Sequence, residues 1–370
     1  NLALNLQSIY NRVNLPLLRT RKFRQKIGWN KFQKIFALKN LFVYFLYEMT
    51  SKFLYNTVLL SILIAGCAVT RQNLTFDEKL NHAINYAQIQ LKHTVSNYGT
   101  EIVYPRATSE DGKWVTVQPR DWTSGFFPGC LWLSYRLAND TSIKAAANKW
   151  TEGLSSQQFL TQTHDIGFII FSSYGNEFKV DAKETSREVL LQAARSLMKR
   201  YNPAVGCIKS WDGRKWDFPV IIDNMMNLEL LFWASKNGGT KDMYDAAFSH
   251  SVQTMTNHFR IDGSTYHVVD YDTLTGKVKS KETHQGYANE SVWARGQAWA
   301  IYGFTMAYRE TGNQEFLRTA EKAAVWFIDH LPKDKIPYWD FLAPDTSIEE
   351  KDVSAAAITS SALFELSSLS

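Results

Sequence analysis

From residue 77 onward, segment after segment repeats apolar residues at intervals of three and four, a period that admits little besides packed helices. In DEKLNHAINYAQIQL the stripe is Leu80, Ala83, Ile84, Ala87 and Leu91. The same period predicts helices near 128–138, 142–159, 166–174, 184–201, 223–236, 241–258, 292–310, 314–331 and 353–368, ten in all, several ended by Asn-Gly, Thr-Gly or a nearby Pro. Strand signals are confined to short pieces such as 265–272 and 278–283, which read as a hairpin around Thr275-Gly276. Long helices following one another in pairs build either an open solenoid or a closed ring of hairpins, an (α/α)-barrel. No repeat of fixed period is present, which disfavours the solenoid. Segments 228–234 and 299–308 are apolar nearly all round, as helices inside a ring must be, whereas EKLNHA, KDMYDAA and RTAEKAA keep a charged face. That alternation favours an all-α ring.

The net charge of +5 is uneven. Residues 1–48 hold nine Lys or Arg against Glu48; without them 32 basic residues face 35 acidic ones. The remainder is slightly acidic and gives no reason to expect nucleic acid as a partner. The basic stretch runs into MTSKFLYNTVLLSILIAGCAVTRQN, with a start-like Met49, Lys52, an apolar run from Leu54 to Ala65, and Gly66-Cys67. The run is short for a membrane span, which needs about 20 apolar residues, and has the layout of a secretory signal. Ile64-Ala65-Gly66-Cys67 resembles a bacterial lipobox, in which cleavage leaves a lipid on Cys67; an ordinary signal peptide is the other reading. Met49 is then the expected start and residues 1–48 an upstream extension. The expected localisation is the periplasm or cell envelope, with the membrane reached only through the lipid. Cys130 and Cys207 give no disulfide framework, and no cofactor or metal is expected, since no metal-ligand spacing accompanies His267 or His284.

Unusual polar residues stand where apolar helices begin: RDWTSGFFPG, THDIGF, IIDNMMNLELLFWAS and ETHQGYANESVWARGQAWAIYG. Asp165 and Asp223 each sit at a helix start, where a carboxylate can cap free N–H groups or serve in catalysis. Asn224 and Asn227 follow Asp223 on a helix of Met, Leu, Phe and Trp, and buried polar groups need a reason. Arg295 and Trp299 share a helical face, with Tyr302 close by. They form either a structural stack of guanidinium on indole, paired to an Asp, or a fork and an apolar ring for an anionic sugar. Twelve tryptophans and 14% aromatic residues suit a large core and also a carbohydrate pocket.

The motifs Trp-Thr-Ser-Gly-Phe-Phe-Pro-Gly (122–129), His-Asp-Ile-Gly-Phe (164–168), Asp-Asn-Met-Met-Asn (223–227), His-Gln-Gly-Tyr (284–287), Trp-Ala-Arg-Gly-Gln-Ala-Trp (293–299) and Pro-Tyr-Trp-Asp-Phe (337–341) resemble, in order over about 75–370, the unsaturated glucuronyl hydrolases of glycoside hydrolase family 88. The resemblance implies an (α/α)6 barrel that removes a 4,5-unsaturated uronic acid from oligosaccharides made by polysaccharide lyases. It places the acid/base on Asp223, a second essential aspartate on Asp165, and substrate contacts on Trp122, His267, Gln285, Arg295 and Trp299. The expected domain layout is therefore an upstream extension at 1–48, a signal at 49–66, a tether at 67–76 and the catalytic domain at 77–370. Against the twelve helices of a sixfold ring, ten lead to the expectation of a missing C-terminal hairpin. Asp352-Val353-Ser354 departs from the family's usual Asp-Ser-Ser or Asp-Thr-Ser. Two other readings are an unsaturated rhamnogalacturonyl hydrolase acting on pectin fragments and a glycan-binding lipoprotein with an inactive barrel.

Overall fold

The structure, a computed structural model, describes residues 74–98, 101–344 and 350–370. Cys67, the lipobox and the signal-like run lie outside the described residues. Among the described residues there are ten α-helices: α1 Phe76–Asn97, α2 Phe126–Ala138, α3 Thr141–Glu152, α4 Ser172–Asp181, α5 Glu184–Met198, α6 Asn224–Lys236, α7 Lys241–Asn257, α8 Ala294–Thr311, α9 Gln314–Asp329 and α10 Val353–Leu369. Each predicted helix has its counterpart. The segment predicted as 142–159 stops at Glu152 and resumes as a 3₁₀ turn, Ser155–Phe159. The one predicted as 166–174 opens as a π-helical turn, Gly167–Phe171, before α4.

The helices form the hairpin succession of an (α/α)6 barrel. Helices α2, α4, α6, α8 and α10 neighbour one another in that order, and α3, α5, α7 and α9 back them. Burial follows the predicted division: α8 is buried at nearly every position from Ala294 to Ala307, while α9 buries one face through Phe316, Ala320, Ala323 and Phe327. The connections from inner to outer helices are short. Asn139, Ala182 and Gly312 each adopt positive φ at a helix end, reversing the chain within two residues. Arg309 on α8 ties three inner helices together through Glu229 on α6 and Glu365 on α10, both at 2.6 Å.

The return connections, 153–171, 199–223, 258–293 and 330–352, are long and collect at the other end. They contain most of the strands. A three-stranded antiparallel sheet orders β5 Pro219–Ile221, β6 Val268–Tyr271 and β7 Val278–Glu282. The predicted hairpin is β6–β7; Gly276 takes φ +68 at its turn, and Asp272 accepts from the N–H groups of Leu274 and Thr275. The pairs β1 Tyr104–Thr108 with β2 Trp114–Val117, and β3 Tyr201–Asn202 with β4 Cys207–Ile208, were not anticipated, being too short or too exposed to carry an alternating pattern. Cys130 and Cys207 are buried free thiols, and burial pushes the Cys130 thiol up to about 12. Among the described residues no helix is long and apolar enough to cross a membrane.

Candidate active site

Strand register builds the centre of the site. Ile221 pairs with Val268, and one residue on the N–H of Ile222 donates to the carbonyl of His267 at 3.1 Å. Asp223, next along the chain, therefore emerges beside the His267 ring. Asp223 occupies the N-cap position of α6, yet its side chain makes no capping hydrogen bond. Its Oδ1 is buried with no donor in hydrogen-bonding geometry among the described residues, and lies 3.8 Å from His267 Nε2. Burial pushes the Asp223 carboxyl up to about 7; its own N–H opposes this, the charge of Asp165 adds to it, and Arg295 pulls the other way.

His267 is held in one tautomer. The backbone N–H groups of His284 and Gln285 donate to its Nδ1 at 3.1 and 3.2 Å. Burial pulls the ring well below the ordinary imidazole value, so it is neutral near pH 7 and its proton sits on Nε2, facing Asp223. Gln285 itself is exposed on the loop after β7, and the link shown in the structure is through its backbone.

Asp165 also declines the capping role. Its Oδ2 accepts from Thr163 Oγ1 at 2.7 Å, and its Oδ1 lies 3.3 Å from Nε2 of the fully buried His164. The two aspartates are brought together by close approach of the π turn to α6. A Cβ on Gly167 would stand 2.6 Å from the Cα of Asn227, so only glycine allows this contact. Asn227 explains its own burial by accepting from the N–H of Phe168 at 2.8 Å. Asn224 donates to the carbonyl of Ile208 at 2.8 Å.

Arg295 is stacked on an indole and paired to an Asp, as one of the sequence readings has it, but the indole is a different one. Its guanidinium lies over Trp293, 5.1 Å from the ring, and not over Trp299. Nη1 is 3.7 Å from Asp352 Oδ2 and 3.4 Å from Ser354 Oγ, so the two residues that flank Val353 receive this arginine. Trp299 is 2% exposed and packs on Phe168 at 5.3 Å. Trp122 is half-buried and meets Phe168 edge-on at 5.5 Å, so Trp122 is the ring of this cluster nearer to solvent. Gln297, polar and wholly buried, is structural: it donates to the carbonyls of Gly263 and Ala323 and accepts from Thr265.

Sequence reasoning passed over two features. Asp340 is buried and anchors the loop before α8, accepting from Tyr287 N–H at 2.9 Å and Ser291 Oγ at 2.6 Å. Trp211 and Trp216 lie 5.8 Å apart, with Trp211 5.1 Å from His284 and 6.1 Å from His267. Arg214 covers Trp211 at 4.5 Å and meets His284 Nε2 at 2.9 Å. The signal for this edge was the string SWDGRKW, two tryptophans bracketing two cations.

Two aspartates that cap nothing, one of them keeping its proton to near neutrality, stand at the loop end of a barrel walled by aromatic rings, an arrangement of the kind that carbohydrate-cleaving enzymes use. The chain belongs to Glycosyl Hydrolase Family 88, whose profile matches residues 99–335. It is 48% identical over 269 residues, 71% of this chain and 67% of the relative, to an unsaturated glucuronyl hydrolase of Formosa agariphila. An unsaturated chondroitin disaccharide hydrolase of Streptococcus pyogenes serotype M1 is 33% identical over 304 residues, 80% of this chain and 75% of the relative. Among solved structures, an unsaturated glucuronyl hydrolase specific for heparin is 46% identical with a TM-score of 0.75 over 78% of each chain.

Proposed function

We propose that this enzyme hydrates the C4=C5 double bond of a 4,5-unsaturated glucuronic acid at the non-reducing end of lyase-generated oligosaccharides, and so releases that sugar. The observation that carries the mechanism is Asp223: a carboxyl at a helix N-terminus, kept off the capping N–H groups and pushed up to about 7 by burial, is a proton donor that can become a base. In this reading Asp223 protonates C4, and its carboxylate then takes a proton from the water that adds at C5. The hemiketal so formed opens and expels the remaining sugar, and Asp223 regains its proton. His267 Nε2–H is placed to steady the carboxylate during the second half, and Asp165, negatively charged nearby, favours the protonated form in the first. Trp122 supplies an apolar face for the sugar, Gln285 and Arg295 polar contacts, and Trp299 supports the wall from behind through Phe168.

The names of the relatives favour glucuronyl over rhamnogalacturonyl substrates, and heparin- or chondroitin-type fragments within them. Arg214 supports an anionic second sugar, since it reaches the His267–His284 edge and pairs with no carboxylate among the described residues. The test is loss of the ultraviolet absorbance of the conjugated double bond on lyase products of heparin, chondroitin, ulvan, gellan and pectin. Consumption of a glucuronyl product is expected; action on the pectin product alone would establish the rhamnogalacturonyl reading, and action on none would establish the inactive barrel.

Ile64-Ala65-Gly66-Cys67 further supports a lipid on Cys67 and attachment to the cell envelope. The expected result is that the mature protein partitions into detergent and begins at a diacylglyceryl-modified Cys67 by mass spectrometry; a mature chain that retains Leu54–Ala65, or begins elsewhere without lipid, would refute it.

A further inference from the structure

The turn between β7 and α8 carries the groups that meet His267, and burial does not hold it: residues 284, 285 and 287–290 are exposed. Hydrogen bonds hold it instead, and they converge on Asp340, the wholly buried aspartate of the Pro-Tyr-Trp-Asp-Phe motif. Its Oδ2 accepts from the N–H of Tyr287 at 2.9 Å and from Ser291 Oγ at 2.6 Å, while its Oδ1 accepts from the N–H of Leu342 at 2.9 Å. The carboxylate is itself fixed in place. The N–H of Phe341 donates to the carbonyl of Val292 and that of Ala294 to the carbonyl of Trp339, which pairs the segment around Asp340 with the residues leading into α8. Within the turn, Thr283 Oγ1 accepts from Gly286 N–H at 2.8 Å and Asn289 Oδ1 from Thr283 N–H at 3.0 Å. A Cβ on Gly286 would stand 2.6 Å from Thr283 Oγ1 and 3.0 Å from Asp340 Oδ2, so glycine lets the turn close this tightly on the carboxylate.

We propose that Asp340 is a positioning residue for the reaction: by holding the turn at Tyr287 and Ser291 it keeps the N–H groups of His284 and Gln285 on His267 Nδ1 and the Gln285 side chain at the mouth of the site. The inference rests on the function proposed above, in which His267 and Gln285 belong to the sugar site. The two bonds to Nδ1, 3.1 and 3.2 Å long, come from residues within three positions of Tyr287, so a shift of the turn at Tyr287 passes directly to them. With Nδ1 accepting, the ring proton is confined to Nε2. A second anchor works from the opposite side. Arg260 Nη2 donates to the carbonyls of Asn289 and Ser291 at 3.1 and 3.2 Å, and its Nη1 to that of Thr265 at 2.9 Å. Arg260 grips the far end of the turn, whereas Asp340 also reaches the end that adjoins Gln285. A buried carboxylate accepting N–H and O–H groups makes stronger bonds than a neutral acceptor in the same place, and its removal leaves the N–H of Tyr287 without that partner.

In Asp340→Ala, kcat/KM on an unsaturated disaccharide that the wild type consumes is expected to fall about a hundredfold, the cost of displacing site groups by about 1 Å. Asp340→Asn, which still offers one oxygen to the turn, is expected to recover about fivefold to tenfold of that loss. Two readouts separate positioning from support of the fold. In nuclear magnetic resonance of protein carrying isotope-labelled histidine, the His267 ring nitrogens are assigned by their absence from His267→Gln. They are expected to show an accepting Nδ1 and a protonated Nε2 in the wild type, and to shift toward the average of the two tautomers in Asp340→Ala. In a Gln285→Ala background the same substitution should cost at least about threefold less than in the wild type, because part of its effect runs through that side chain. A residue that only supported the fold would lower the melting midpoint and leave both readouts where they were. All measurements are made well below each variant's melting midpoint, with circular dichroism to check the fold. An unmoved His267 signal, or an equal loss in both backgrounds, overturns the proposal. If the Ala variant does not fold, the Asn variant decides by the same readouts: a smaller shift in the same direction with a loss reduced by Gln285→Ala supports the proposal, and wild-type activity, an unmoved signal or an equal loss in both backgrounds overturns it. The His267 signal needs no substrate, so these outcomes are separate from failure of the proposed function, which would show as a wild-type enzyme that consumes no double bond.

Discussion

Asp223→Asn is expected to lower kcat by about three orders of magnitude or more while leaving binding of the unsaturated sugar within a few fold, because in the proposed mechanism one carboxyl supplies both the proton and the base. The same substitution should stabilise the protein at alkaline pH. The Asp223 side chain is 15% exposed and its carboxyl is pushed up to about 7 from an ordinary 3.8, so ionising it is harder in the folded chain than in the unfolded one. The unfolded chain therefore loses this proton first as pH rises. Stability contributed by the group is intact below the unfolded value and is lost as pH climbs toward the folded one, at a cost on the order of 4 kcal/mol once both states are ionised. Asparagine carries no such penalty. Between pH 5 and pH 8 the melting midpoint of the variant should gain several degrees on that of the wild type, corresponding to about 2–3 kcal/mol. Retention of most of the activity would remove Asp223 from the mechanism; a constant gap in melting temperature would remove the buried, proton-holding carboxyl.

That prediction depends on features of unequal visibility in the sequence. Helices α1 to α10 were legible because a helix packed on one face must repeat its apolar residues at its own period, and α8, buried all round, announced itself by lacking a polar face. The π turn at Gly167–Phe171 was legible only as a helix start, since local composition does not distinguish one extra residue per turn. The aspartates were visible by position, but not the decisive fact that neither caps its helix, which follows from where Thr163, His164 and His267 stand. The partnership of Asp223 and His267 was illegible for a plainer reason. It is set by the register of β5, a strand of three residues, against β6, and so short a strand has no readable period. The pairing of Arg295 with Trp293 and Asp352 was hidden likewise: the spacing of Arg295 and Trp299 shows a shared face, but the tertiary neighbours decide which ring lies beneath the guanidinium.

The alkaline limb of kcat/KM is where those neighbours can be weighed. In the proposed mechanism protonated Asp223 is the active form, so above about pH 7 the rate should fall about tenfold per unit, reaching roughly a hundredfold loss at pH 9. Asp165 and Arg295 act on this carboxyl with opposite signs: the anion holds its proton on and the cation draws it off. Asp165→Asn should therefore shift the limb to lower pH and Arg295→Met to higher pH, whatever either does to the height of the profile. Burial is the largest cause of the shift, so the limb in Asp165→Asn should stay well above the ordinary carboxylate value, moving by about one unit or less. Limbs that move in the same direction in both variants would show that neither charge acts directly on Asp223. A limb that collapses to near 4 in Asp165→Asn would make the carboxylate pair, and not the dry mouth of α6, the reason that Asp223 keeps its proton. In the proposed mechanism both variants are expected to weaken catalysis by other routes as well, so the rate loss alone carries no information about Asp223. The sign and size of the displacement do.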